Sequence, residues 1–190
     1  MESKEKVLLE GEEMERAMTR MAHEILEKIE KGQDFALVGI ESRGGYLVKR
    51  IAQRINSFNS GVVAVGTMDV TPFRDDLVAG SAAGSPIPIS FPFSLDDRVV
   101  FLVDDVLYTG RTTRVALDLI TQMGKPTKVL VAVLVDRGDR ELPIRADIVG
   151  KNVRVSEEER VNVLFREADG IDRVVVGGET PRKIRQPSPS

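Results

Sequence analysis

One continuous stretch of the chain joins an apolar run, two adjacent carboxylates and a turn rich in threonine and glycine. Its residues are, in order, Val100, Phe101, Leu102, Val103, Asp104, Asp105, Val106, Leu107, Tyr108, Thr109, Gly110, Arg111 and Thr112. The apolar run predicts a short buried strand that the two acids stop, and the residues after the turn have the pattern of a helix. Unpaired backbone N–H groups at a helix start bind phosphate, and Gly110 lets a ligand approach closely. With Asp104 and Asp105 placed to accept hydrogen bonds from ribose hydroxyls, the stretch predicts a sugar-phosphate site.

An ordinary strand-to-helix turn with an N-cap also contains acids, threonine and glycine, so a short Asp-Asp-x-x-x-Thr-Gly pattern alone does not decide the function. The complete stretch resembles the phosphoribosyl-diphosphate-binding signature of the type I phosphoribosyltransferases. This resemblance implies an α/β fold in which a central, mostly parallel sheet is flanked by helices. It also implies a long flexible lid loop and a small hood formed from the termini.

Three more blocks extend the resemblance, at residues 36–45, 69–77 and 135–153. Over roughly the first 155 residues the chain is similar to the bifunctional pyrimidine operon attenuation regulators, which are also uracil phosphoribosyltransferases. The block at residues 135–153 distinguishes these regulators from other phosphoribosyltransferases, which share the stretch at 100–112 but not this block. The resemblance implies conversion of uracil and 5-phosphoribosyl 1-diphosphate to UMP and diphosphate. It also implies UMP-dependent binding of pyrimidine-operon leader mRNA.

The implied reaction displaces pyrophosphate from C1 of the ribose, so positive charge develops on the ring and negative charge on the leaving group. The resemblance gives the catalytic roles to Asp104, Asp105 and Arg43. The two acids would hold the ribose hydroxyls and stabilise the electron-poor ring, while Arg43 and Mg²⁺ would neutralise the pyrophosphate. The Mg²⁺ would be held indirectly by Asp104 and Asp105, together with the substrate. No organic cofactor is expected.

The other contacts implied by the resemblance fall into four groups. Pyrophosphate would contact Ser42, Arg43 and Gly44; uracil would contact Asp136, Arg137 and Gly138; the lid would present Arg74, Asp75 and Asp76; and leader RNA would contact Thr19, Arg20, His23, Ser42, Arg140 and Arg145. Taken alone, the polar stripe at 16–23 is an ordinary solvated helix face. Ser42 replaces the family's usual Thr, and Asp139 stands where relatives commonly have His, which puts an acid where a phosphate backbone would approach.

Composition limits the remaining possibilities. The 190 residues, 42% of them hydrophobic, suit one domain, and we expect it to cover residues 1–176 with a disordered tail at 177–190. A net charge of −3 requires any RNA site to be a local basic patch. The absence of cysteine and the single histidine exclude disulfides, thiolate sites and histidine clusters for metals. Without an apolar leader or a long apolar run, we expect a cytoplasmic protein with no membrane partner.

Helices and strands alternate along the chain in the predicted pattern. We expect helices at 12–31, 46–55 and 112–123, the last ending at Gly124, and strands at 35–40, 62–70, 99–103, 128–135, 161–165 and 173–176. Apolar strands that alternate with helices indicate a parallel sheet covered on both faces. Residues 71–92, rich in glycine, serine and proline, predict an irregular loop.

Two rival functions stay open at this stage. The chain could be a phosphoribosyltransferase for another base, or a UMP-sensing RNA-binding protein with little catalysis. Comparing the turnover of uracil with that of hypoxanthine would separate the first alternative from a uracil enzyme. The presence of Asp104, Asp105 and Arg43, which catalysis would need, disfavours the second alternative. We expect uracil, 5-phosphoribosyl 1-diphosphate, UMP and leader mRNA as partners of a homo-oligomer.

Overall fold

The computed structural model describes residues 5–58, 61–73, 89 and 91–177. The strands are β1 (Lys6–Glu10), β2 (Phe35–Ile40), β3 (Ala64–Met68), β4 (Val99–Leu107), β5 (Lys128–Asp136), β6 (Ile148–Asn152), β7 (Val161–Leu164) and β8 (Arg173–Val176). The α-helices are α1 (Gly11–Glu27), α2 (Arg43–Phe58), α3 (Arg111–Met123) and α4 (Arg166–Asp169), and a 3₁₀ turn covers Thr71–Phe73. None of these helices, within the described ranges, is long and apolar enough to cross a bilayer.

A five-stranded parallel sheet forms the centre of the molecule, with strand order β3-β2-β4-β5-β6. Successive residues of each strand face opposite sides, so each apolar strand supplies two cores. Leu37, Phe101 and Val103 pack against α1 and α2. On the other face Val38 and Leu102 pack against α3. This arrangement confirms the predicted α/β architecture, a central parallel sheet flanked by helices.

A second, antiparallel sheet, which we call the hood, has the order β1-β8-β7. It joins the two ends of the described chain, since Lys6 lies opposite Val176. The fully buried Phe165, together with Val163 and Val174, packs the hood into the same core as α1 and α2. The prediction of a small hood from the termini is therefore confirmed.

Several boundaries differ from the sequence predictions. β4 does not stop at the two acids but continues to Leu107, because β5 goes on pairing with it and Asp104 lies opposite Val133. The first helix ends at Glu27 rather than residue 31, where tighter turns carry the backbone toward Gly32 at φ +83°. The predicted strand at 62–70 is shorter, and β1, β6 and α4 were not predicted.

Candidate active site

The phosphoribosyl loop, residues 104–112, connects the end of β4 to α3. Gly110 is the N-cap of α3, with φ +89°, a left-handed conformation that glycine adopts without steric cost. Its carbonyl accepts the N–H of Arg114 at 2.9 Å, which starts the helix. The Thr109 hydroxyl accepts the N–H of Arg111 at 3.3 Å. The positive end of the α3 dipole therefore lies at the turn that follows β4, five residues after Asp105.

The two adjacent acids of this loop lie in different surroundings. The side chain of Asp104 is buried, and its Oδ1 accepts the Asp105 N–H at 2.9 Å. Burial raises the pKa of Asp105, while hydrogen bonds from the Asp104 side chain and the Val106 N–H, and the charge of Arg43, act in the opposite direction. The Arg43 charge is thus close enough to Asp105 to act on it. The two acids therefore interact with each other, and Asp105 with Arg43, at the end of the buried run of β4.

The pyrophosphate loop, residues 41–44, joins β2 to α2. Its Glu41–Ser42 peptide bond is cis, and α2 begins at Arg43. A Cβ atom at Gly44 would lie 2.9 Å from the Val103 carbonyl oxygen and 3.3 Å from the Asp104 Cα, so a side chain there would displace the backbone. This close contact places the pyrophosphate loop directly beside Asp104, and Ser42 is exposed at its surface.

The side chain of Arg43 extends from the pyrophosphate loop to the hood. Its Nε donates to the Val163 carbonyl at 2.7 Å, and its Nη2 donates to Asp169 Oδ1 at 2.6 Å. The side chain is 23% exposed, and that of Asp169 is 11% exposed. The residue predicted to neutralise pyrophosphate is therefore also an anchor for the hood.

Arg137 belongs to the base loop, residues 136–145, which follows β5. Its side chain is only 4% exposed, and its guanidinium carbon lies 3.8 Å from the centroid of the Tyr108 ring. Nη1 donates to the Glu159 carbonyl at 2.8 Å and Nη2 to the Ser156 carbonyl at 3.2 Å. Its Nε is buried and has no hydrogen-bond partner within the described residues. A buried donor of this kind is costly without a partner, so it favours a ligand acceptor.

Arg140 holds the base loop in shape. Its Nη2 donates to Asp136 Oδ2 at 2.6 Å, its Nε to the Ile144 carbonyl at 2.9 Å and its Nη1 to the Tyr108 carbonyl at 2.9 Å. Asp136 also accepts the N–H of Gly138 at 2.9 Å, and Gly138 has φ +77°. The predicted uracil contact Asp136 and the predicted RNA contact Arg140 thus have their charges satisfied by each other.

A cleft of about 730 Å³ lies between the phosphoribosyl loop, the base loop and the hood. Its walls include Tyr108, Thr109, Arg111, Thr112 and Arg137 from the predicted site, and Arg160, Val161 and Asn162 from the hood strand β7 and the residue before it. The hood residues were not predicted as part of the site. They follow no motif, and only the folding of the hood over the sheet brings them to the cleft.

Comparison with known proteins agrees with this geometry. The sequence matches the phosphoribosyl transferase domain over residues 5–165. The chain belongs to the phosphoribosyltransferase family. It is 50% identical over 175 residues to the bifunctional protein PyrR of Alkaliphilus metalliredigens, covering 92% of this chain and 96% of that protein. It is 45% identical over 172 residues to the PyrR of Bacillus velezensis, with 90% and 95% covered. The predicted relationship is confirmed.

Solved phosphoribosyltransferase structures share the fold. A hypoxanthine phosphoribosyltransferase from Staphylococcus aureus superposes with a TM-score of 0.66 at 21% identity, covering 89% of this chain and 90% of that one. A hypoxanthine phosphoribosyltransferase from Trypanosoma cruzi gives 0.67 at 15% identity, with 90% and 95% covered. At such identities the likeness concerns the fold alone.

The residues predicted to contact RNA are spread over α1, the pyrophosphate loop and the base loop of this phosphoribosyltransferase. On α1, Thr19 Oγ1 donates to the Glu15 carbonyl at 2.9 Å, and His23 stacks on Phe58 with ring centroids 4.3 Å apart. Arg20 donates to the carbonyls of Val149 and Gly150 on β6. Ser42 and Arg145 are exposed. The predicted lid residues Arg74, Asp75 and Asp76 lie outside the described residues.

Proposed function

We propose that this phosphoribosyltransferase joins uracil to 5-phosphoribosyl 1-diphosphate, giving UMP and diphosphate. The observation that carries this proposal is one cleft that Thr109, Arg111 and Thr112 line on either side of the left-handed Gly110 turn, and that Arg137, with its buried and unpartnered Nε, also lines. The turn follows the acid pair of β4, and together they suit a ribose 5-phosphate. The Nε of Arg137 suits a base with a carbonyl oxygen at its edge.

In this mechanism the bond between ribose C1 and the pyrophosphate oxygen breaks, with its electron pair leaving on pyrophosphate, while a bond forms between C1 and N1 of uracil. The N1 proton passes to water. The phosphate of the ribose sits on the N–H groups at the start of α3. Asp104 and Asp105 accept hydrogen bonds from the ribose hydroxyls and stabilise the positive charge that develops on the ring. Arg43 and the N–H groups of the pyrophosphate loop balance the leaving group.

Arg137 is the residue that selects the base in this proposal. Its two terminal nitrogens are held by the carbonyls of Ser156 and Glu159, so the orientation of the guanidinium is fixed. The remaining Nε–H would donate to a carbonyl oxygen of uracil, which removes the cost of a buried, unpaired donor. The guanidinium lies over one face of the Tyr108 ring, and the proposal does not require this ring as a stacking surface for the base.

Magnesium fits the chemistry of the site when the substrate is present. Within the described residues no group of three or more carboxylate or histidine side chains is arranged to hold a metal unaided. Asp104 and Asp105 offer the hard oxygen ligands that Mg²⁺ shares with substrate hydroxyls and phosphates. Bound there, Mg²⁺ would neutralise part of the charge of the diphosphate group.

A direct test is turnover of the purified protein with 5-phosphoribosyl 1-diphosphate and Mg²⁺, offered either uracil or hypoxanthine. We expect UMP from uracil and no IMP from hypoxanthine, with no UMP when the metal is removed by a chelator. Preferential IMP formation would assign the enzyme to another base. UMP binding without turnover would support a sensor that lacks catalysis.

We propose a second function, UMP-dependent binding of pyrimidine-operon leader RNA. The supporting observation is the hydrogen bond from Arg20 on α1 to the Gly150 carbonyl on β6. It brings α1 close to Lys151, which lies on β6, and to Arg145, which lies just before that strand. Arg145, Arg154 and Asn152 line a cleft of about 1030 Å³ along this edge, together with the acids Asp136 and Asp139. Arg140 pairs with Asp136 and Arg137 lies 3.6 Å from Asp139, so the remaining arginines support a local basic patch of the kind that the net charge of −3 requires.

Titration of a labelled anti-terminator hairpin, with and without UMP, tests the regulatory function. We expect UMP to tighten RNA binding, and Arg145→Gln to weaken it without changing uracil turnover, since Arg145 belongs to neither phosphoribosyl contact. If neither UMP nor this substitution changes the affinity for RNA, the regulatory function is rejected and only the enzymatic function stands. The proposal also includes association of several copies in the cytoplasm, which light scattering of the purified protein and cell fractionation would test.

A further inference from the structure

The hood is tied to the pyrophosphate loop by one ion pair that is separate from the other hood contacts. Arg43 opens α2 directly after the cis peptide, and Asp169 ends α4, 126 residues later. Both side chains are largely buried, and the 2.6 Å distance is that of a charge-assisted hydrogen bond. A second bond, from Arg43 Nε to the Val163 carbonyl, fixes the plane of the guanidinium.

Asp169 is itself held rigidly by the backbone of the hood. Its Oδ2 accepts the N–H of Phe165 at 2.9 Å, while its Oδ1 accepts from Arg43. Phe165 is fully buried in the main core, so the carboxylate cannot shift without moving the hood. The acid therefore offers Arg43 a fixed counter-charge.

The three guanidinium nitrogens of Arg43 have different surroundings. Nε and Nη2 bind the hood, whereas Nη1 has no hydrogen-bond partner among residues 5–58, 61–73, 89 and 91–177. Gly44, the next residue, lies against Val103 and Asp104, and the charge of Arg43 acts on Asp105, so this arginine lies beside the acid pair, where the leaving group would form. A planar, forked guanidinium anchored along one edge presents its other edge in a single direction.

We propose that Asp169 is a positioning residue, which holds Arg43 so that the guanidinium edge carrying Nη1 faces the diphosphate group of the substrate. This inference rests on the proposed transferase function. It makes docking of the hood a condition for neutralising the leaving group. Asp169 touches no reactant in this account and acts only through Arg43.

The test compares Asp169→Asn with Glu167→Gln on the same short helix. Asparagine can still accept the Phe165 N–H, but it loses the charge that binds Arg43. Glu167 instead pairs with Arg50, at 2.6 Å, and so controls for a general weakening of the hood. We expect Asp169→Asn to raise the KM for 5-phosphoribosyl 1-diphosphate and the inhibition constant of pyrophosphate about tenfold, the usual effect of losing one charge-assisted hydrogen bond. The KM for uracil should change little, and Glu167→Gln should leave all three constants near the wild-type values.

A double-mutant cycle decides whether Asp169 works through Arg43. If it does, Asp169→Asn should have almost no further effect on these constants in an Arg43→Gln background. Asp169→Glu, which restores the charge, should recover part of the loss. Additive effects of the two substitutions, or equal losses in Asp169→Asn and Glu167→Gln, would overturn the inference. An Arg43→Gln enzyme with wild-type kinetics would instead overturn the assigned role of Arg43, and absence of uracil turnover in the wild type would overturn the proposed function.

Discussion

In the proposed mechanism, catalysis depends most directly on the adjacent acids of β4. Replacing Asp104 or Asp105 by Asn keeps the side-chain shape but removes a charge that, in this proposal, stabilises the developing positive ring. We expect kcat to fall on the order of 10²-fold for either change, as for loss of one preorganised electrostatic contact. Steady-state kinetics with uracil should be paired with thermal unfolding, which should still show a cooperative transition. A fully active double Asn variant would contradict the site.

Arg137 allows a test of base recognition that keeps the charge. Arg137→Lys removes the Nε–H, while the ammonium group can still reach a carbonyl of residue 156 or 159. We expect the KM for uracil to rise about tenfold, the effect of one lost hydrogen bond to a well-placed acceptor. The KM for 5-phosphoribosyl 1-diphosphate should change by much less. Equal increases in both constants would point to collapse of the cleft rather than to loss of a base contact.

At the level of elements, the turn into α3 depends on a backbone conformation that glycine alone adopts easily. A Cβ at Gly110 would have normal contacts of 3.4 Å and 3.5 Å with Ile144, so Gly110→Ala is penalised by its φ of +89° rather than by a clash. We expect a loss of about 1 kcal/mol in the free energy of unfolding, together with weaker phosphoribosyl binding. Gly32→Ala is the matched control, because Gly32 has φ +83° with no neighbour within 4 Å. It should lose similar stability without any change in KM.

The attachment of the hood should depend on pH through α4. Two hydrogen bonds from Arg50 to the Glu167 carboxylate, at 2.9 Å and 2.6 Å, lower the pKa of Glu167 below its ordinary value of 4.5. A lowered folded-state pKa contributes stability above the ordinary value, and this contribution is lost as the pH falls through the folded value. Glu167→Gln should therefore destabilise the protein at about pH 7 and have a smaller effect at about pH 4, as measured by urea unfolding. In an Arg50→Gln background this pH dependence should disappear; its persistence would mean that another partner lowers the pKa.

The elements that could be predicted from sequence are those whose signal is local. The apolar run of β2, the amphipathic pattern of α2 and the turn before α3 each carry their own pattern, and each was found within a few residues of its observed position. β1 and β6 are only five residues long and owe their stability to pairing with β8 and β5. The bond between Arg43 and Asp169 spans 126 residues and follows no motif. Such features depend on tertiary packing, which propensity and spacing do not encode.

On the scale of the whole molecule, the proposed RNA binding must overcome a net charge of −3, to which Asp139 contributes. Its φ of +53° is tolerated by Asn, Asp and His, so Asp139→His should keep the base loop intact. Its carboxylate lies 3.6 Å from Arg137, which compensates part of its charge. If the remainder repels the RNA backbone, Asp139→His should tighten hairpin binding about fivefold, the equivalent of ~1 kcal/mol, and steepen its dependence on salt. Weaker binding to the cognate hairpin alone would instead identify Asp139 as a reader of a base edge.

The pairing of β1 with β8 also sets the order in which the nascent chain can fold. β1 is made before every other described strand, yet the strand that it pairs with is made after residue 172. At about 5–20 residues per second, β1 would wait roughly 10–30 s for this partner. During that interval the sheet and the phosphoribosyl loop can already form, whereas the core around Phe165 cannot close. A polypeptide interrupted before β8 would therefore keep the turn into α3 but expose apolar surface, and we expect cellular proteases to degrade it before it could act as an enzyme.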